Sequence, residues 1–266
     1  MTPEQRYFFD VFGYLHLKGA IEAEDLAAAQ EAAERYVNTK PEEVPPGFNI
    51  HQKTDGWYRF EYGFAFDRAL EKLAMHPASW PIVIELTRER PRLINGTLLV
   101  NRRQEGTRLH CAREDFGWGS TRYEVRNGQI FCDNLVVFPY LTDVNPGDGG
   151  LIVLPGSHKA EFDRPFEMFY ADGKITDEIP DGVVSITPKA GDIVIISELL
   201  THGTLPWKPD RDRRTLVLRY QPQHQGGTTS IPEPILERLL PETRELIERQ
   251  GFNHVKEVVK TSLAAV

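Results

Sequence analysis

Of the eight histidines in this 266-residue chain, two stand where their neighbours suggest chemistry. His202 follows an apolar run at 192–196 and precedes Gly203-Thr204, and Arg213 comes 11 residues later, at the start of the next apolar run. A strand, a turn and a returning strand bring such an arginine back beside such a histidine. A metal-bound imidazole next to a guanidinium suits a chelating, doubly anionic ligand, because Arg forks onto carboxylates. His110 closes the segment 107–109, shortly before Phe116-Gly117-Trp118-Gly119-Ser120, a candidate active-site loop. Two histidines from different strands and one carboxylate form the facial triad of non-haem Fe(II) sites, with three positions open.

These residues need strands to hold them, and the middle of the chain supplies the pattern. From 93 to 221 short apolar runs recur, at 97–100, 130–140, 151–154, 183–186, 192–196 and 215–220. Turn signals separate them: Asn95-Gly96, Asn127-Gly128, Asn145-Pro146-Gly147-Asp148-Gly149-Gly150, Pro155-Gly156, Asp181-Gly182 and Gly191-Asp192. Short strands with strong turns point to a sandwich or barrel. The first 90 residues read as helical. Thr2-Pro3-Glu4-Gln5 makes a capping box, and Phe8, Val11, Phe12 and Leu15 fall on one helical face. A second helix is expected over 23–37, with Leu26, Ala29, Ala33 and Tyr36 on its stripe. Tyr58, Phe60, Tyr62, Phe64 and Phe66 alternate strictly, which predicts one face of a strand, either packing a core or walling a substrate site. From Pro232 onward the chain reads as helix again, interrupted at Pro241 and Gly251. One domain over 1–266 is the simplest organisation: helical over 1–90, a β core over about 91–222 and a helical tail over 232–266.

Composition removes several function classes. A chain that is 40% hydrophobic and 10% aromatic is not disordered. A net charge of −8 offers no footprint for a phosphate backbone, so a nucleic-acid partner is not expected. The longest apolar runs are far shorter than the roughly 18 residues of a membrane span. Glu4, Arg6 and Asp10 stand where a signal peptide needs apolar residues. Cys111 and Cys132 form no C-x-x-C pair, which fits buried thiols in a reducing, cytoplasmic setting.

A longer pattern ties these fragments together. Leu141-Thr142-Asp143-Val144-Asn145-Pro146-Gly147-Asp148-Gly149-Gly150, then Leu154-Pro155-Gly156-Ser157-His158-Lys159, then Gly191-Asp192, His202-Gly203-Thr204 and Arg213-Arg214 run in order, after an opening Phe12-Gly13-Tyr14-Leu15. In these features the chain resembles the phytanoyl-CoA dioxygenase family of Fe(II)/2-oxoglutarate-dependent oxygenases, from Phe9 to Tyr220. The resemblance implies a mainly β protein, a double-stranded β-helix (a cupin-like jelly roll), with N- and C-terminal α-helices packed around it. It implies Fe(II) as cofactor, 2-oxoglutarate as co-substrate and oxidation of a small organic molecule. Carried over by position, His110 and His202 would be iron ligands, Arg213 would grip the far carboxylate of 2-oxoglutarate with Thr204 as helper, and His158 would be structural. Period two leaves an alternative: Leu216, Leu218 and Tyr220 share a strand face with Arg214, so an apolar interior would favour Arg214.

One position departs from the family. Its first metal motif is His-x-Asp, and this chain reads His110-Cys111-Ala112. Glu114 has the right parity but lies roughly 13 Å on along an extended strand. It or Asp115 would reach the metal only if the chain turned at once. Three readings follow: an oxygenase whose third position holds a displaced carboxylate or water, a halogenase-like enzyme with chloride there, or a small-molecule-binding jelly roll without catalysis. Substrate contacts are expected from Arg113, Trp118 and Tyr123 in the loop after His110, and from Tyr58 and Phe60. The sequence is silent on substrate identity and oligomeric state.

Overall fold

Thr2 and Gln5 cap each other at the start of α1 (Pro3–Phe12): the Thr2 hydroxyl accepts from the Gln5 amide at 3.1 Å, and the Gln5 side chain accepts from the Thr2 amide at 3.0 Å. Gly13, at φ +79°, ends the helix and turns the chain into β1 (Tyr14–Leu17). The computed structural model to which these elements belong describes residues 1–54, 56–103, 106–112, 122–162, 179–225 and 231–264. The buried side of α1 differs from the expected stripe. Phe9 is fully buried, whereas Phe8, Val11 and Phe12 are exposed and Leu15 belongs to β1. The helix stops before Leu15, so only part of that spacing is helical.

The remaining elements follow in order. They are α2 (Ala23–Asn38), β2 (Ile50–Thr54), β3 (Trp57–Phe60), α3 (Arg68–Glu71), α4 (Trp80–Leu86), β4 (Pro91–Asn101) and β5 (Thr107–His110). Then come β6 (Tyr123–Arg126), β7 (Gln129–Cys132), β8 (Leu135–Pro139), β9 (Gly150–Val153), β10 (Val184–Ser185), β11 (Ile193–Ser197), β12 (His202–Leu205) and β13 (Arg213–Pro222). The tail holds α5 (Glu233–Leu236), α6 (Pro241–Ile247) and α7 (Glu257–Ala264).

Among the described residues the strands form a seven-stranded sheet, β1-β11-β8-β13-β4-β3-β2, and a four-stranded sheet, β10-β9-β12-β5. Strands β6 and β7 form a separate hairpin around Asn127-Gly128, both at positive φ as such a two-residue turn requires. The architecture is the expected jelly roll. Two points of the first third differ from expectation. Strands β1 and β2 come from the stretch read as helical and join the large sheet together with the expected strand β3. The alternating aromatic segment is strand only through Phe60: Tyr62 adopts a left-handed conformation, and a short 3-10 turn at Gly63–Ala65 packs onto β4, where a Cβ at Gly63 would stand 2.6 Å from Leu98.

The large sheet is buried on both faces, which is why β8 and β11 read as unbroken apolar runs. Leu216, Leu218 and Tyr220 of β13 face outward and pack with Tyr36, Phe60 and Phe64 under the helices. Val217 faces inward with Val136, Phe138, Leu151 and Val153 between the sheets. Both cysteines are free and buried. Among the described residues no helix is long and apolar enough to cross a membrane.

Candidate functional site

Strands β5 and β12 run antiparallel with His110 directly opposite His202, so their side chains leave one face of the small sheet together. The ring centroids are 4.4 Å apart. Each ring is held by the backbone two residues before it: His110 Nδ1 donates to the Arg108 carbonyl at 2.8 Å, and His202 Nδ1 donates to the Leu200 carbonyl at 2.7 Å. A carbonyl only accepts, so Nδ1 carries a proton in both rings, and in the neutral ring the lone pair is then on Nε2. That tautomer, oriented by a backbone acceptor, is the one a metal-binding histidine takes. Burial, followed by the neighbouring His110, pushes the His202 pKa down to about 4, so this imidazole is neutral at pH 7.

The two rings open into a cavity of about 390 Å³ between the sheets, lined also by Trp57, Arg59, Asn101, Phe138, Thr204, Arg213 and Arg219. Alternation along β13 places Arg213, Val217 and Arg219 in it, while Arg214 leaves the other face and pairs with Glu34 of α2. Arg213 is 2% exposed. Its Nη1 donates to Asn101 Oδ1 at 2.9 Å and its Nη2 to the Tyr140 hydroxyl at 3.4 Å. Its Nε has no hydrogen-bond partner, and among the described residues no carboxylate pairs with it. A buried guanidinium in that condition is costly unless an anion answers it. Thr204 sits nearby in the same wall, its hydroxyl 2.9 Å from that of Thr107.

Other expected residues lie elsewhere. Tyr58 and Phe60 turn away from the cavity, Phe60 into the core beneath α2 and Tyr58 beside Arg102; their strand neighbours Trp57 and Arg59 face the cavity instead. Tyr123 meets His158 edge-on and lies tilted beside Phe9, and its hydroxyl donates to Asp10 at 2.8 Å. Arg113, Glu114, Asp115 and Trp118 lie outside the described residues. His158 is fully buried beneath Gly13 and takes no part in the cavity.

Three residues unforeseen in the sequence bear on the charge of the site. Arg59 and Arg219 lie close enough for Arg219 to help lower the Arg59 pKa, after burial as the larger cause. Glu198 is 7% exposed and accepts from Arg219 Nε at 2.8 Å. Burial pushes the Glu198 pKa up, but Arg219 and the two imidazoles outweigh it and hold the carboxyl low. Stepping two residues at a time from Arg213 would have placed Arg219 in the cavity; Glu198 carries no comparable sequence signal.

The donor set fits a divalent metal with a bidentate anion: two oriented neutral-type imidazole nitrogens and a buried guanidinium share one cavity. Ala112 brings no carboxylate, and among the described residues no three His, Cys, Asp or Glu side chains stand together as a ready cage.

Among solved structures, HygX from Streptomyces hygroscopicus with nickel and 2-oxoglutarate bound is 23% identical, with a TM-score of 0.70 over 84% of this chain and 87% of that one. A second HygX structure holds hygromycin B as well. The non-heme alpha ketoglutarate dependent carbocyclase SnoK from nogalamycin biosynthesis is 18% identical, with a TM-score of 0.64 over 96% of this chain and 95% of that one. At these identities the likeness is one of fold. Dioxygenase af480 of Aspergillus fumigatus is 29% identical over 128 residues, 46% of this chain and 38% of that one, so the chain matches less than half of that relative's length. The phytanoyl-CoA dioxygenase (PhyH) family matches residues 9–215, and the chain belongs to that family.

Proposed function

We propose that the protein is an Fe(II)- and 2-oxoglutarate-dependent oxygenase that hydroxylates a small organic molecule. The observation that carries this reading is Arg213: a buried guanidinium with an unpartnered Nε, in the same cavity as two imidazoles locked in the metal-binding tautomer. Iron and 2-oxoglutarate together would supply the oxidising chemistry, consuming O2 and giving succinate and CO2 as the substrate gains one oxygen.

The chain's own residues do the positioning. His110 and His202 present Nε2 toward one point, and the carbonyls of Arg108 and Leu200 fix their ring planes. Arg213 receives the far carboxylate of 2-oxoglutarate, with Thr204 beside it, and Asn101 holds the guanidinium in place. Trp57 and Phe138 give the cavity apolar walls that exclude water from the reacting centre, and Arg59 meets a negative group on the substrate.

The test is succinate formation from 2-oxoglutarate in the presence of Fe(II), ascorbate and O2, in native protein and in His202→Ala. Oxygen-dependent succinate in the native protein, lost in the variant, is expected. A protein that makes none and binds neither Fe(II) nor 2-oxoglutarate would be a non-catalytic binding module. The halogenase-like reading rests on the small side chain of Ala112 beside His110; succinate formation that required chloride would favour it.

A further inference from the structure

Position 112 lacks a carboxylate, yet it touches a residue that has one. The Ala112 amide donates to the Glu198 carbonyl at 2.8 Å, so the two residues are backbone neighbours across the gap between β5 and the turn before β12. The Glu198 amide in turn donates to the Asn134 carbonyl at 3.0 Å, fixing the residue from both sides. Four residues later the same turn delivers His202. Resting on the metal reading above, we propose that Glu198 supplies the third protein ligand of the His110–His202 site, in place of the family's aspartate.

The side chain is suited to it. Glu198 is buried, and its Oε1 accepts from Arg219 Nε at 2.8 Å, while Arg219 lines the cavity that both imidazoles share. A glutamate has one more methylene than an aspartate, which offsets its start from the neighbouring backbone rather than from position 112 itself. The carboxylate rests on Arg219, and among the described residues no three His, Cys, Asp or Glu side chains stand together as a ready cage. A divalent ion held by the two imidazoles would compete with Arg219 for this carboxylate, and Glu198 would supply the negative charge that Ala112 does not. Charge would favour that exchange, because a divalent ion carries twice the charge of a guanidinium that is partly exposed to solvent.

The experiment is an anaerobic titration with Fe(II), and with Co(II) as a spectroscopic stand-in, of native protein, Glu198→Gln, Ala112→Asp, the double variant Glu198→Gln/Ala112→Asp, and His202→Ala. Glu198→Gln is expected to weaken metal binding by about tenfold or more, beyond what removal of an outer-shell partner usually costs at its mildest. Ala112→Asp is expected to recover affinity in the Glu198→Gln background but to add little in native protein, a contrast that a purely structural role for Glu198 would not produce. A loss of less than about tenfold, or a loss that the aspartate does not recover, overturns the proposal while leaving the two-histidine site intact. Native protein that binds neither ion, or His202→Ala that binds as tightly as native, overturns the metal reading itself. Should Glu198→Gln fail to fold, an infrared difference spectrum of native protein carrying 13C-labelled glutamate decides the matter. A shifted glutamate carboxylate band on metal addition is expected, and an unshifted one overturns the assignment.

Discussion

Arg213 and Arg214 are neighbours in sequence and leave β13 in opposite directions: Arg213 reaches Asn101 at 2.9 Å inside the barrel, and Arg214 reaches Glu34 on α2 outside it. Only the inner one can meet a ligand in the histidine cavity. Arg213→Ala should therefore weaken 2-oxoglutarate binding by at least roughly 30-fold, the consequence of truncating one partner of a buried charge pair. Arg214→Ala should leave that affinity within about twofold, because the ion pairs it loses, with Glu34 and Asp212, lie outside the cavity. Calorimetric titration of both variants, with metal present, checks the contrast. Equal losses would mean that the cavity does not hold the co-substrate carboxylate.

How much of this was legible in the sequence depends on the distance over which each residue acts. The turns and apolar runs of the β core are local signals and mark most strands of the jelly roll, but Asn95-Gly96, expected as a turn, lies inside β4, where Gly96 lets Phe64 pack close to the backbone. Parity along β13 was legible too, but not which face is interior, since both faces are buried and Leu216, Leu218 and Tyr220 look as core-like as Val217. The same ambiguity put Tyr58 and Phe60 on the face expected to wall a site, whereas Trp57 and Arg59 line the cavity. Glu198 was invisible because its relation to Ala112 runs through one backbone hydrogen bond between segments far apart in the chain.

Asp192 anchors the edge of the large sheet. Its carboxylate accepts from the Gly19 amide at 2.7 Å, the Lys189 amide at 2.8 Å and His16 Nε2 at 2.7 Å. Burial raises its pKa, but these bonds outweigh that and hold the carboxyl below its ordinary value. A depressed carboxylate stabilises the fold above the unfolded-state pKa of about 3.9, and the contribution fades as pH falls through the lower folded value. Asp192→Asn should cost about 1–3 kcal/mol at pH 7 and flatten the loss of stability below about pH 4. Denaturant unfolding at pH 7, 5 and 3 measures both; an unchanged acid limb would contradict the role.

The glycines before β9 differ in what they must avoid. Gly149 has φ +100°, and an added Cβ would overlap the Pro206 carbonyl. Gly147 has φ +89° with nothing within 4 Å of an added Cβ. Gly147→Ala should cost only the left-handed strain, about 1–2 kcal/mol. Gly149→Ala should cost about 3 kcal/mol or more, since the backbone of β9 or of the 205–206 turn must move. Thermal melts of the two variants should rank them in that order, and the reverse order would contradict the close packing of Gly149 on Pro206.

The most direct test of the account is an anaerobic optical titration of the protein with Fe(II) and 2-oxoglutarate. A visible charge-transfer band that forms only with both present, and that is lost in His202→Ala and weakened in Arg213→Ala, is the predicted result. No band in native protein, or a band that survives in His202→Ala, would contradict the assignment of this cavity as an iron and 2-oxoglutarate site.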